Sequence, residues 1–435
     1  MRSTFIRPLA AAALLTLGAA CVSAQEDKVD EQKPRQLDTR DAKPLDTQPW
    51  QLPPSQMPSF VAADYAAFGL GMFRQLADAR PNANVVFSPL SAGLAISMLA
   101  NGAQGETLAG IERTLATGLD LERLNGTNAA LVEALRGGDV ELSIANSLWA
   151  RQGVPFLPAF MERNRRFYGA EVATLDFSSA DAATRINRWA SDKTNGRITR
   201  MVEDGPLDGD LILYLMNAVY FKGRWKDEFE ASQTRPMPFH AAGGRTVQRP
   251  MMHRTGEYRY LRAEGFQALR LPYRGDRIAM YVLLPDEGSS VAALRGRLTP
   301  EAWAEWMGGF GGAREVRVVM PKYRVSLEAG LNRPLQALGM ADAFSQHRAN
   351  FGAMLPAEYL ARGNAYVSEA RQKVFIEVNE EGTEAAAVTG IEVRTTSAPA
   401  QPVSFVVDRP FLLAIRDDQT GALLFIGQVN DPVTE

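Results

Sequence analysis

The sequence predicts a mixed α+β fold, because two kinds of apolar periodicity occur along it. Apolar residues recur at mostly helical spacing in residues 60–76, and 103–115 reads as a further helix. Residues 140–150 and 373–380 instead alternate at the strand period, and apolar runs at 211–225, 405–415 and 423–432 predict further strands. With 46% hydrophobic residues in 435, the chain can bury a large core.

Residues 1–24 are predicted to be a secretory signal peptide. Two arginines precede an apolar run that is too short to remain as a membrane-spanning helix. Cleavage after a small-residue site would release a chain that begins at Gln25. The alternative is lipidation of Cys21, as in bacterial lipoproteins. We therefore expect a secreted protein, extracellular or periplasmic, with an outer-membrane lipoprotein as the alternative.

The mature chain is expected to contain a tether followed by one folded domain. Residues 25–58 are polar and contain several prolines, which is typical of an extended linker, and the domain is predicted to cover 59–435. Cys21 is the only cysteine, so release of the signal leaves no disulfide, and stability must come from packing. The net charge of −3 without a basic run argues against a nucleic-acid partner.

The usual signatures of an enzyme are missing from the sequence. His240, His253 and His347 are not spaced as paired metal ligands. There is no G-x-S-x-G, no H-E-x-x-H and no phosphate-binding glycine loop. We expect no catalytic residues, no metal site and no cofactor.

The stretch that follows the strand 373–380 is unusual. Gly382 breaks the strand, and beyond it the period of two separates a face without charge from a face that carries all three charges. The uncharged face contains Thr383, Ala385, Ala387, Thr389, Ile391 and Val393. Such a segment could be inserted between existing strands, up to the prolines at 399 and 402. An Ala-rich helix capped at Thr383 and a surface loop are the alternatives.

This stretch and the two strands after it closely resemble the serpins, protease inhibitors that act by conformational change. The resemblance joins the segment EEGTEAAA at 380–387 with FVVDRPFLLAI at 405–415 and LLFIGQVNDP at 423–432, in the same order and spacing. It extends over residues 59–432. It implies an α+β fold with three β-sheets, one of them large and central, about eight or nine helices, and an exposed reactive-centre loop at about 380–404.

The resemblance also implies three groups of functional residues. The hinge, which starts the loop, is formed by Glu380, Glu381, Gly382, Thr383, Glu384, Ala385, Ala386 and Ala387. The shutter, beneath the place where the central sheet opens, is formed by Ser88, Ser91, Asn217 and Gln372. The breach, where the loop first enters, is formed by Trp225, Lys322 and Glu380.

Details of these groups lead to separate expectations. Gln372 stands where many serpins have histidine; glutamine can donate and accept hydrogen bonds but cannot act as a pH switch. Lys322 and Glu380 are expected to form an exposed salt bridge worth less than about 1 kcal/mol. Judged from local sequence alone, Ser88 would be a helix cap followed by Pro89 in the first turn.

The function implied is inhibition of endopeptidases by a suicide-substrate mechanism. The protease cleaves the loop and stays attached as an acyl-enzyme while the loop inserts into the central sheet. Loop length places the cleaved bond at Thr396-Ser397, which suits elastase-like or subtilisin-like proteases. A shorter register places it at Arg394-Thr395, which suits a trypsin-like protease.

Partners and alternatives complete the expectations. The partner is a target protease in a covalent complex, and the inhibitor itself is expected to be a monomer without membrane contact unless Cys21 is lipidated. A heparin-type cofactor is not expected, because residues 121–136 have only Arg123 and Arg136 as cations. The alternatives are a non-inhibitory serpin that acts as a binding protein and, more remotely, a secreted hydrolase.

Overall fold

The computed structural model of the chain describes residues 59–136, 139–383 and 401–434. Within them, the helices are α1 Ser59–Asp78, α2 Pro89–Ala100, α3 Gly105–Leu115, α4 Leu121–Leu135, α5 Pro158–Tyr168, α6 Ala180–Lys193, α7 Val291–Gly296, α8 Pro300–Gly308, α9 Asn332–Leu335 and α10 Ala357–Leu360. The strands are β1 Val85–Phe87, β2 Val140–Arg151, β3 Glu171–Leu175, β4 Leu213–Arg224, β5 Arg235–Ala241, β6 Arg245–Ala263, β7 Phe266–Pro272, β8 Ile278–Pro285, β9 Ala313–Pro321, β10 Tyr323–Gly330, β11 Arg371–Val378, β12 Gly382–Thr383, β13 Val403–Val406, β14 Phe411–Asp417 and β15 Leu423–Val429.

A six-stranded sheet with the order β10-β11-β12-β4-β2-β3 is almost divided in its middle. β2 and β4 pair along eleven residues, and β10 and β11 along eight. By contrast, β4 and β11 are parallel and pair directly only at Lys373 with Ala218 and at Val374 with Val219. Toward the carboxy-terminal ends of β4 and β11, the short strand β12 lies between them. The weakest lateral connection of the sheet is therefore the one between β4 and β11.

The remaining strands form a second, nine-stranded hydrogen-bonded network. Its order is β1-β15-β14-β8-β7-β6-β9-β13, with β5 paired to β6. The expected α+β architecture is confirmed, but the described strands join into two networks instead of three sheets. The reason is β6, which runs for 19 residues and pairs with β5 and β9 as well as with β7. The described residues also contain ten helices, and not eight or nine, because α9 and α10 are single turns of four residues.

The core is built on both faces of the six-stranded sheet. The larger cluster joins α1 and α2 to both sheets and includes Tyr65, Phe73 and Phe87. A smaller cluster lies between α6 and the six-stranded sheet, where Trp149 and Trp189 meet edge to face at 5.9 Å. The apolar face of α6 thus covers the sheet on which the central gap lies.

Two helix ends differ in how well local sequence describes them. α2 begins with Pro89 as predicted, but Ser88 does not cap it through its side chain. The Ser88 hydroxyl donates instead to the carbonyl of Leu424 at 2.7 Å. The helical segment that begins with α9 continues into a π-helical turn at Gln336–Met340, where Gly339 has a φ of 126°, a conformation that favours glycine.

Candidate functional site

The first hinge residues are part of the six-stranded sheet. Thr383 is fully buried and lies opposite Gly223 of β4 and Val378 of β11. Its hydroxyl is 2.6 Å from the Tyr273 hydroxyl. A Cβ on Gly382 would lie 2.0 Å from the Gly223 carbonyl oxygen, so only glycine allows this close approach.

This location corrects the expectation that an exposed loop begins near residue 380. Glu380, Gly382 and Thr383 are buried, and Glu381 is half-buried with its carboxylate 3.9 Å from Arg224. The backbone explains the difference, because the carbonyl oxygens of Glu380 and Glu381 accept hydrogen bonds from the segment that follows β4. The ladder therefore continues through the hinge instead of ending before it.

Trp225 holds the chain immediately before the hinge. Its ring is stacked on Tyr273, with centroids 4.7 Å apart and an angle of 7° between the planes. Its indole N–H donates to the Asn379 carbonyl at 3.0 Å, and its backbone N–H donates to the Glu381 carbonyl at 2.8 Å. Trp225 is thus stacked on Tyr273, and the Tyr273 hydroxyl is the group that lies beside the Thr383 hydroxyl.

The predicted salt bridge between Lys322 and Glu380 is present, with the ammonium 2.8 Å from the carboxylate. It is less exposed than expected, since only 11% of the Glu380 side chain is accessible. Thr234 also donates its hydroxyl to this carboxylate at 2.8 Å. Burial alone would raise the pKa of Glu380, but the hydrogen bonds from Lys322 and Thr234 outweigh burial and lower the pKa below its usual value.

Three of the four shutter residues form one hydrogen-bonded group at the other end of the gap. The Gln372 side chain accepts from the Ser88 backbone N–H at 2.9 Å and donates to the Ser88 carbonyl at 3.1 Å. Its amide nitrogen also lies 3.5 Å from the Ser91 hydroxyl. Glutamine thus links β11 to the start of α2 through both its donor and its acceptor, and all three residues are buried.

Asn217 is not hydrogen-bonded to that group. It lies on β4 opposite Asn146 of β2, to which it donates at 2.8 Å. Its amide oxygen is buried and has no hydrogen-bond partner among the described residues. The Gln372 side chain is engaged by Ser88 and that of Asn217 by Asn146, although both line the same cavity of about 480 Å³.

Sequence reasoning missed residues that the structure brings to the hinge and the shutter. Tyr273 lies 110 positions before Thr383, and Thr234 lies 146 positions before Glu380. Asn146 becomes relevant only through its pairing with Asn217. The only local signal was that each is a polar group in or beside an apolar strand, which does not identify its partner.

Some predicted residues lie outside the described part of the chain. These are Cys21, the hinge residues Glu384, Ala385, Ala386 and Ala387, and the candidate cleavage residues Arg394, Thr395, Thr396 and Ser397. Within 59–136, 139–383 and 401–434, no group of three or more His, Cys, Asp or Glu side chains could hold a metal ion. The helices in these same ranges include none long and apolar enough to cross a membrane.

Known proteins are similar to this chain in both sequence and fold. The family model described as Serpin (serine protease inhibitor) matches residues 63–432. Antithrombin-III of Mus musculus is 33% identical over 377 residues, covering 84% of this chain and 80% of that protein. Plasminogen activator inhibitor 1 of Neovison vison is 35% identical over 382 residues, covering 85% and 93%.

Solved structures agree with this match. The thermophilic serpin tengpin in its native state superposes with a TM-score of 0.78 and 30% identity, covering 88% of this chain and 95% of that one. Human thyroxine-binding globulin superposes with a TM-score of 0.77 and 26% identity, covering 86% and 99%. The arrangement of hinge, shutter and divided sheet thus occurs in a chain that belongs to the serpin family, a family of protease inhibitors and not of enzymes.

Proposed function

We propose that this protein inhibits serine endopeptidases by loop cleavage, covalent trapping of the acyl-enzyme and insertion of the cleaved loop between β4 and β11. The observation that carries the proposal is the position of β12. Its residues Gly382 and Thr383 already lie between β4 and β11, in the gap that the rest of the loop would fill. Below them, only two residue pairs join β4 to β11 directly. Few strand-to-strand contacts would have to separate for insertion to proceed.

The register of β12 defines where the following residues would go. Thr383 lies opposite Gly223, and extending this antiparallel register places Thr389 opposite Asn217. The same extension along β11 places Thr389 beside Gln372. Thr389 is an even number of residues from Thr383, so its side chain would share the interior face.

Insertion would therefore offer a new hydrogen bond to the Asn217 side chain. The Asn217 amide oxygen has no partner among the described residues, and the Thr389 hydroxyl would be placed next to it as a donor. Farther along, Ile391 and Val393 would lie opposite Leu215 and Leu213, which line the 480 Å³ cavity. The inserted segment would fill this cavity with apolar side chains.

The energy available is large compared with the stability of a domain. About a dozen new backbone hydrogen bonds, at roughly 0.5–1.5 kcal/mol each, amount to an order of 10 kcal/mol. A typical domain is stable by only about 5–15 kcal/mol. The intact form is therefore metastable and is protected from self-insertion by a kinetic barrier.

Two measurements test this mechanism. The protein is mixed with elastase-like, subtilisin-like and trypsin-like proteases, and a covalent complex that survives denaturing electrophoresis is expected with at least one of them. The melting temperature is then measured before and after cleavage of the loop by a protease that is not trapped. A large rise is expected; a cleaved form that melts no higher than the intact form would rule out insertion.

The target depends on the cleaved bond. We propose Thr396-Ser397, with elastase-like or subtilisin-like targets, and Arg394-Thr395 with a trypsin-like target is the alternative. Mass analysis of the carboxy-terminal fragment released with a trapped protease distinguishes them, because the fragment begins at Ser397 in one case and at Thr395 in the other.

A second candidate is a non-inhibitory serpin that acts as a binding protein. It is favoured by the fold shared with thyroxine-binding globulin, which was solved in complex with its ligand, and by the cavity beside Asn217 and Gln372. Such a protein would be cleaved without forming a covalent complex. For either candidate we propose export directed by residues 1–24, a tether at 25–58 and a monomeric domain.

A further inference from the structure

Three basic residues form a diagonal row across the β5-β6-β9 part of the nine-stranded sheet. Arg235 of β5 lies opposite Met251 of β6. His253 follows Met251 by two residues on β6, so its side chain is on the same face of the sheet. His253 lies opposite Val319 of β9, which is two residues from Arg317 on that face. Diagonal neighbours of this kind have Cα atoms about 7–8 Å apart. Burial and the charges of both arginines lower the pKa of His253, which agrees with this closeness.

The two arginines of the row have no acidic partner in the part of the chain that the structure describes. Arg235 and Arg317 are exposed, and neither forms a salt bridge within the described residues. In the same hairpin, by contrast, Arg245 and Arg249 are both paired with Asp431. The acids on the face of the row, Glu257 and Glu315, lie opposite each other beyond Arg317 and away from His253.

The row ends beside β13, the strand at the carboxy-terminal end of the proposed reactive-centre loop. Arg317 lies opposite Ser404 of β13 and donates to its hydroxyl at 3.4 Å. From Ser397 to Ser404 the chain spans at most about 25 Å when fully extended. A protease domain of about 230 residues has a radius of gyration of roughly 17 Å. A protease bound at the proposed cleavage site would therefore reach this face.

We propose that Arg235 and Arg317, on either side of His253, are a docking surface for acidic side chains at the rim of the target protease's cleft. The surface would contact the side of the cleft that binds the chain after the cleaved bond. It would speed the encounter and select proteases with an acidic rim, because charge complementarity acts mainly on association rate and on specificity. The inference rests on the proposed inhibitory function and adds the charge of the partner.

The experiment measures the second-order rate constant of inhibition with the protease found to form the covalent complex. The variants are Arg235→Glu, Arg317→Glu and the double variant, and Arg188→Glu on the exposed face of α6 is the control. Rates are compared from about 0.01 M to about 1 M NaCl, over which the Debye length falls from about 30 Å to about 3 Å. Arg235→Gln and Arg317→Gln repeat the test without a new charge, and melting temperatures confirm folding.

We expect the double variant with Arg235→Glu and Arg317→Glu to have a rate constant of inhibition that is at least about tenfold lower at low salt. Electrostatic steering changes association rate constants by about 10- to 1,000-fold. The difference should disappear at high salt, and the number of inhibitor molecules consumed per protease should not change. A double variant that matches Arg188→Glu at every salt concentration would overturn the proposal. A difference seen only with added sulfated polysaccharide would also overturn it, because the occupant would then be a polyanion. Failure of the wild type to trap any protease would instead refute the proposed function.

Discussion

The ammonium of Lys322 lies 2.8 Å from the carboxylate of Glu380, three residues before the buried Thr383. The pair joins the turn between β9 and β10 to the hinge, and most of the Glu380 side chain is shielded from water. A shielded, hydrogen-bonded ion pair contributes more than an exposed one, so the pair is expected to stabilise the hinge in the intact protein.

Replacing Glu380 with Gln should lower the stability of the intact protein by about 1–3 kcal/mol at neutral pH. The folded-state pKa of Glu380 is below its usual value, so the stabilisation is present above the unfolded pKa and is lost as the pH falls through the folded pKa. Unfolding measured from about pH 7 to pH 3 should show the wild type converging on the variant. Glu369→Gln, which removes an exposed pair with Arg371, is the control; curves of wild type and Glu380→Gln that stay parallel throughout would contradict the prediction.

Replacing Thr383 with Arg should turn the inhibitor into a substrate. The Thr383 side chain is fully buried against Tyr273, and an arginine there would place a charge in the core or force the hinge out of the sheet. The covalent complex should be lost while loop cleavage continues, as seen by denaturing electrophoresis. Glu384→Arg, on the opposite face by strand alternation, should still trap the protease. Equal trapping by the two variants would refute the assignment of Thr383 to the interior face of the inserted strand.

Replacing Thr389 with Val should destabilise the cleaved protein more than the intact one. In the extended register, insertion would place the Thr389 hydroxyl as a donor to the Asn217 amide oxygen, which has no partner among the described residues. Leaving that buried oxygen unpaired costs about 1–3 kcal/mol. Melting temperatures of both forms, each compared with its wild-type counterpart, check this; an equal decrease in the two forms would show that Thr389 does not reach Asn217.

Replacing Gln372 with His should steepen the loss of stability that accompanies a fall in pH from about 8 to about 5. The position is buried and hydrogen-bonded to both backbone groups of Ser88, so a histidine there would be held neutral, with a depressed pKa. Stability would be present above the unfolded pKa of about 6.5 and lost as the pH falls below it. Melting temperatures of the variant and the wild type between about pH 8 and pH 5 check the sign; a variant with the same pH dependence as the wild type would contradict it.

Sequence patterns predicted the elements well and their contacts only in part. Alternation identified β2 and β11, and apolar runs identified β4, β14 and β15. The interpretation of Ser88 as a side-chain cap failed, because the nearest acceptor for its hydroxyl is a strand more than 300 residues away. Local propensity has no information about such a partner.

The sequence by itself determined which faces could be buried. Thr383 and every second residue after it, up to Val393, form an uncharged strand face, and Gly382 allows the backbone to approach β4 closely. These properties depend only on residue type and on the strand period of two.

Only the tertiary structure decided where the hinge lies and what it contacts. Thr383 is inside the sheet because Tyr273, Trp225 and the backbone after β4 come together there from distant parts of the chain. Asn217 donates to Asn146 of β2 and Gln372 binds Ser88 at the start of α2, although both adjoin the directly paired residues Ala218 and Lys373. The pairing of strands far apart in sequence is a property of the whole packed chain, and no local pattern contains it.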